Sequence, residues 1–120
     1  AVGETVTPAI SNKDMFLIAS GSGATYSLLA NAQKAKSFGA FVFLLTTQKN
    51  SSIGRLANYI FPISAPSPKI EKSLGFNSIQ PLGSLFEQSL MLTLDAIVLV
   101  LMEELEITNN SMFQIHANLE

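Results

Sequence analysis

The 120-residue chain has no cysteine, no tryptophan and one histidine, and only 13% of its residues are charged. Without cysteine there are no disulfides, thiol nucleophiles or cysteine-ligated metals, and a lone histidine argues against a histidine-rich metal site. A reducing cytoplasm is compatible with that composition. Seven basic and nine acidic side chains leave a net charge of −2 and are scattered along the chain. The electrostatic footprint of nucleic-acid binding is therefore missing, and neither DNA nor RNA is an expected partner. The charged share is about half that of an ordinary soluble domain. Beside an apolar content of 48%, this predicts a large apolar interface with another copy of the chain.

Also missing is a basic stretch leading into an apolar run at the N-terminus, so no signal peptide is visible. Residues 1–10 carry no initiator methionine and read as the end of a strand, a Gly-Glu-Thr turn and a Thr-Pro stop. The expectation is one domain over residues 1–120 whose chain starts partway through it.

What the sequence does contain is concentrated in six residues. Ser20-Gly21-Ser22-Gly23-Ala24-Thr25 directly follows the apolar run Met15-Phe16-Leu17-Ile18-Ala19 and precedes a helical pattern. Two glycines let the backbone turn tightly and bring its N–H groups close to an oxyanion. The hydroxyls add donors, and a helix N-terminus adds partial positive charge. The loop has neither the Gly-Lys-Ser/Thr ending of a nucleotide P-loop nor the three spaced glycines of a dinucleotide fingerprint, so a small phosphorylated ligand suits it better. The plainer alternative is a serine-rich turn in which Thr25 supports the helix start.

Met15–Ala19 and Phe41–Leu45 are uninterrupted apolar runs of the kind found in strands buried on both faces. Between them, Tyr26, Leu28, Leu29, Ala30, Ala32 and Ala35 trace a helix that Gly39 ends. Ser51–Asn58 reads as a short helix capped by Ser51 or Ser52, and Tyr59–Ile63 as a third strand. This alternation predicts an α/β fold of parallel β-α-β units with ligand sites at the carboxyl ends of the strands. Residues 64–80 read as a long loop able to cover the site. Pro81 then opens the longest helix, to about Leu105, followed by a short last helix from Thr108.

Residues 82–102 approach the length of a membrane span, but Glu87 and Asp95 fall inside the window. A helix buried in an oligomer core is the favoured reading, with no membrane partner. Asp95 is explained by a hydrogen bond to a neighbouring helix, and Glu103, Glu104 and Glu106 by a solvated helix end. Glu87, a carboxylate on an apolar stretch, is a candidate general base, since partial burial makes a carboxylate more basic. Against that, Ser84 and Glu87 also have the spacing of a capping box. His116 is either a proton shuttle or a solvated residue near a terminus.

Several motifs together resemble one family. They are Val2-Gly3-Glu4-Thr5 with Thr7-Pro8-Ala9-Ile10, the Ser-Gly-Ser-Gly-x-Thr loop, Pro81-Leu82-Gly83-Ser84-Leu85-Phe86-Glu87, and the tail His116-Ala117-Asn118-Leu119-Glu120. The chain is similar to the 6-phospho-3-hexuloisomerases, members of the sugar isomerase (SIS) domain proteins. The resemblance implies a doubly wound three-layer α/β/α sandwich with a parallel sheet and a cytoplasmic homo-oligomer, a tetramer. It also implies a phosphorylated hexulose as substrate, with 3-hexulose 6-phosphate and fructose 6-phosphate interconverted in the ribulose monophosphate route of formaldehyde fixation. No cofactor or metal is implied. Ser20, Gly21, Ser22, Gly23 and Thr25 would then bind phosphate, with Glu87 the catalytic base and His116 a proton shuttle. Two departures stand out: the family carries a further N-terminal third, so this chain corresponds to the C-terminal two-thirds of a family domain, and Ala24 stands where the family often has Glu. A phosphosugar-sensing SIS module, which needs the loop but not Glu87 or His116, is the alternative reading.

Overall fold

The computed structural model describes residues 8–65, 83–108 and 110. Three parallel strands form its centre: β1 (Met15–Ala19), β2 (Phe41–Thr46) and β3 (Tyr59–Pro62), in that order across the sheet. Met15 pairs with Phe41 at the start of β1, and Phe43 pairs with Tyr59 at the start of β3. The Phe43 and Tyr59 rings stack with their centroids 5.1 Å apart. Branched and aromatic side chains suit these pleated positions, and parallel pairing requires each crossover to travel back over a face of the sheet.

The first crossover is helix α1 (Tyr26–Ser37). Ala32 packs with Ile18, Val42, Leu44 and Ile53, against which Leu28 and Leu29 also lie. Alternate β2 residues face the other way. Leu45, with Phe43 alongside, joins Ile63, Ala65 and Phe86, and the last of these belongs to the long helix α2 (Ser84–Glu104). A sheet with one helix on each face is the three-layer arrangement expected of an α/β fold.

Local signals end α1 as its sequence predicts. Phe38 is the last half-helical residue, and Gly39 follows with φ +82°, in the left-handed region that closes many helices. Lys36, in the last turn of α1, donates its ammonium to the Leu56 carbonyl and ties the helix to the second crossover.

That second crossover departs from expectation. Residues 51–57 form a succession of turns rather than a helix, although Ser51 caps them as predicted, its Oγ accepting from Gly54 N at 3.1 Å. Gly54 is required within these turns, because a Cβ there would lie 2.2 Å from the Lys49 carbonyl oxygen. Asn58 then prepares β3 by pairing twice with Val42. Its N–H donates to Val42 O at 2.8 Å and its Oδ1 accepts from Val42 N at 2.9 Å.

A further expectation is corrected. β1 is not covered on both faces: Ile18 is buried, whereas Met15 and Leu17 are exposed on the side where α2 stands over β2 and β3. In the single chain α2 leaves most of its apolar surface exposed, the surface that burial between copies would cover. Phe86 is its one buried residue, while Met91, Leu92, Val98 and Leu99 are 47–66% exposed. Its length and mean hydropathy of 1.8 are enough to cross a membrane, yet one side of it, through Phe86, Leu90, Leu94 and Ile97, packs against the sheet. Most of the loop expected over 64–80 and of the helix expected from Thr108 falls outside the described residues, as do Pro81 and Leu82.

Candidate functional site

The Ser20–Thr25 loop leaves the carboxyl end of β1, beside the carboxyl end of β2. Ser20 extends the strand pairing by one bond, its N–H donating to Leu45 O at 3.0 Å. Its side chain turns inward and is buried. The Oγ accepts from Gly23 N at 3.1 Å and lies 3.3 Å from Thr25 Oγ1. Gly23 also donates to Ser20 O, at 3.1 Å, and adopts φ +60°. The hydroxyl of Ser20 thus braces the loop from beneath, and the hydroxyls of Ser22 and Thr25 are left nearer the surface. Ser22 Oγ accepts from Ala24 N at 3.3 Å.

A second set of bonds holds the loop against β2. The Gly21 carbonyl accepts from Thr47 Oγ1 at 2.7 Å, Thr46 Oγ1 at 3.1 Å and Thr47 N at 3.3 Å. The Gly23 carbonyl accepts from Ile53 N at 2.9 Å. Thr46 and Thr47 read in the sequence only as the end of β2. The available signal was their place at the carboxyl end of a parallel strand, where loops of an open α/β sheet meet.

Helix α1 begins at this loop with its donors free. Thr25 is the N-cap residue, with φ −64° and ψ 119°, but its side chain makes no capping bond. The first backbone bond of the helix runs from Leu29 N to Thr25 O at 2.9 Å. The N–H groups of Tyr26, Ser27 and Leu28 make no hydrogen bond among the described residues. No acidic residue stands in that first turn. Unpaired N–H groups, partial positive charge and the nearby hydroxyls of Ser22 and Thr25 together suit an oxyanion of phosphate size.

Glu87 lies in the first turn of α2, on the face of the sheet opposite α1. Its neighbour Phe86 clusters with Leu45, Ile63 and Ala65, at the carboxyl ends of β2 and β3. The first turn of α2 is thereby placed at the edge where the loop lies. The Glu87 carboxylate is exposed, not partly buried as expected, because Phe86 takes the core-facing position of that turn. The capping box is not formed either: the N-cap is Gly83, with no side-chain cap, and Glu87 N donates to Gly83 O at 2.9 Å. His116 lies outside the described residues. The structure therefore gathers Ser20, Gly21, Ser22, Gly23 and Thr25 in one braced loop, while Glu87 is carried by the helix on the other face of the sheet.

A separate groove between β3 and α2 is lined by Phe61, Thr93, Ala96, Ile97, Val100 and Leu101. Its polar side chain, Thr93, already donates to Ser89 O at 2.7 Å. An apolar wall of this kind offers nothing to a phosphorylated sugar.

Comparison with known proteins agrees with the strand-loop-helix geometry. The SIS domain family matches residues 3–94. Over 119 residues the chain is 46% identical to a 3-hexulose-6-phosphate isomerase of Bacillus subtilis (strain 168), a match covering 99% of this chain and 64% of that protein. It is 36% identical to a protein of the same name from Methylomonas aminofaciens, with the same coverage. The chain thus spans 64% of the length of these curated relatives. Among solved structures, a protein of Methanococcus jannaschii, for which a 3-hexulose-6-phosphate isomerase function was inferred, superposes with a TM-score of 0.80 at 27% identity, covering 99% of this chain and 62% of that one. By its matched residues, its parallel sheet flanked by helices and its likeness in sequence, the chain belongs to the SIS domain family.

Proposed function

We propose that this protein isomerises a phosphorylated hexulose, converting 3-hexulose 6-phosphate to fructose 6-phosphate in the ribulose monophosphate route. The observation that carries this reading is the loop after β1, with N–H groups on Tyr26, Ser27 and Leu28 that are unpaired among the described residues and hydroxyls on Ser22 and Thr25. The names of the similar proteins supply the sugar.

Moving the ketone from C3 to C2 removes the proton on C2 and forms an enediolate across C2 and C3. A proton is then returned to C3, while the hydroxyl proton passes from O2 to O3. One carboxylate on one face of the sugar can perform both carbon transfers. Glu87 is the group we assign to it, and His116 the group that carries the proton between the oxygens. The loop holds the phosphate, with Ser20 bracing it from below, so that binding energy from the unreactive end fixes the reacting carbons. With O6 esterified, a 3-keto sugar has no hydroxyl placed to close a five-membered ring, so the forward reaction starts from the open chain. A phosphorylated sugar does not cross a lipid bilayer unaided, which assigns the work to the cytoplasm. A second copy of the chain is the occupant we propose for the outward face of α2, where Met91, Leu92, Val98 and Leu99 recur at helical spacing, and a tetramer is the assembly.

Solvent exchange tests the reaction directly. In deuterium oxide the protein is expected to wash deuterium into C3 of fructose 6-phosphate, the position deprotonated in the reverse direction, as followed by proton NMR. Binding of the sugar without exchange would reduce the protein to a phosphosugar-sensing module.

A further inference from the structure

We infer that Thr47, with Thr46 beside it, is a positioning residue of the phosphate site: its hydroxyl fixes the orientation of the Gly21–Ser22 peptide so that the Ser22 N–H faces the ligand. This rests on the reading of the loop as a phosphate site and adds to it a residue outside the loop.

The argument begins with the carbonyl of Gly21. A carbonyl oxygen has two lone pairs, yet three donors converge on this one: Thr47 Oγ1 at 2.7 Å, Thr46 Oγ1 at 3.1 Å and Thr47 N at 3.3 Å. The shortest of the three comes from the Thr47 hydroxyl. Every peptide bond in the described chain is trans, and in a planar trans peptide the C=O and the following N–H point in opposite directions. Holding Gly21 O against the end of β2 therefore turns the Ser22 N–H away from β2. That N–H has no hydrogen-bond partner among the described residues.

The reversed peptide would set a carbonyl dipole where the Ser22 N–H now stands. A phosphate dianion would then meet an oxygen in place of a donor. Glycine at position 21 makes such a reversal cheap, since it has no side chain to oppose it. The two threonines supply the missing bias, and they do so from outside the loop, on the strand that β1 pairs with. Thr46 is fully buried and also accepts from Gln48 N at 3.1 Å, so its loss disturbs the fold as well. Thr47 is only partly buried, and its hydroxyl makes no other hydrogen bond among the described residues.

The test compares the purified protein with its Thr47→Val and Thr47→Ser variants. Calorimetric titration gives the Kd for fructose 6-phosphate and for inorganic phosphate, steady-state kinetics give KM and kcat, and thermal unfolding confirms that each variant is folded. Thr47→Val is expected to weaken both ligands by about tenfold, the worth of roughly one hydrogen bond to a charged site. KM rises in step and kcat changes less, and Thr47→Ser restores the affinity. In the unmodified protein, phosphate should move the Ser22 amide proton downfield in a 15N-resolved NMR titration, a readout that does not depend on any variant folding. If Thr47→Val binds both ligands like the unmodified protein, or Thr47→Ser fails to restore them, or the Ser22 amide stays still while those of Ser27 and Leu28 shift, the positioning role falls and the phosphate site stands. If the unmodified protein binds neither ligand, the site and the positioning role fall together.

Discussion

Replacing Glu87 by glutamine is expected to lower kcat for the ketose interconversion by about 10²–10⁴, the usual contribution of a positioned general base. KM for the phosphorylated sugar should change little. The substitution keeps the shape and removes only the ability to take up a carbon-bound proton. Its effect on folding should be small, because the carboxylate is exposed and the packing of that turn is done by Phe86. The same variant should lose deuterium exchange at C3 in proportion to kcat. A Glu87→Gln protein that retains most of its turnover would show that the base is another group, and the search would move to residues outside the described part of the chain.

The second large effect is expected at Gly23. An alanine Cβ there would lie 2.1 Å from Ser51 Oγ and 2.6 Å from Ser51 Cβ, and the backbone has φ +60°. Left-handed backbone costs a non-glycine residue about 1–2 kcal/mol, and forcing a methyl into a filled space costs a further 1–3 kcal/mol or so. Gly23→Ala should therefore destabilise the protein by about 2–5 kcal/mol in denaturant unfolding. The loop should also shift enough to reduce sugar-phosphate affinity by well over tenfold. Ser51→Gly removes those two contacts and, with them, the bond from Gly54 N, so Gly23→Ala should cost less on a Ser51→Gly background than in the unmodified protein, a coupling that a mutant cycle measures. Wild-type affinity in Gly23→Ala alone would mean that the loop does not grip the ligand.

How far the fold could be read from the chain depends on how local each signal is. The strands at Met15–Ala19 and Phe41–Leu45 and the helix closed by Gly39 rest on adjacent residues, and they lie where expected. The Ser51–Asn58 segment read as a short helix from its capping serines, and the cap forms at Ser51 although the residues after it make turns. The chemistry of the loop at Ser20 was legible as a motif, but the direction of its hydroxyls was not. Ser20 and Ser22 look alike in the sequence, and only the fold sends one inward beneath Gly23 and leaves the other near the surface. The role of Thr46 and Thr47 was hidden for the same reason, since it depends on a carbonyl 25 and 26 residues away. The exposure of Glu87 likewise follows from Phe86 taking the core-facing position of the same turn.

Thr46 has a consequence for how this end of the molecule loosens. Its carbonyl accepts from Ile63 N, after β3, its hydroxyl accepts from Gln48 N, after β2, and the same hydroxyl donates to Gly21 O, after β1. Three segments far apart along the chain thus share one fully buried side chain and its backbone. Displacement of Thr46 releases all three at once, so amide protons at Gln48 and Ile63 share one opening event. A ligand that quiets the first segment will slow hydrogen exchange in the other two.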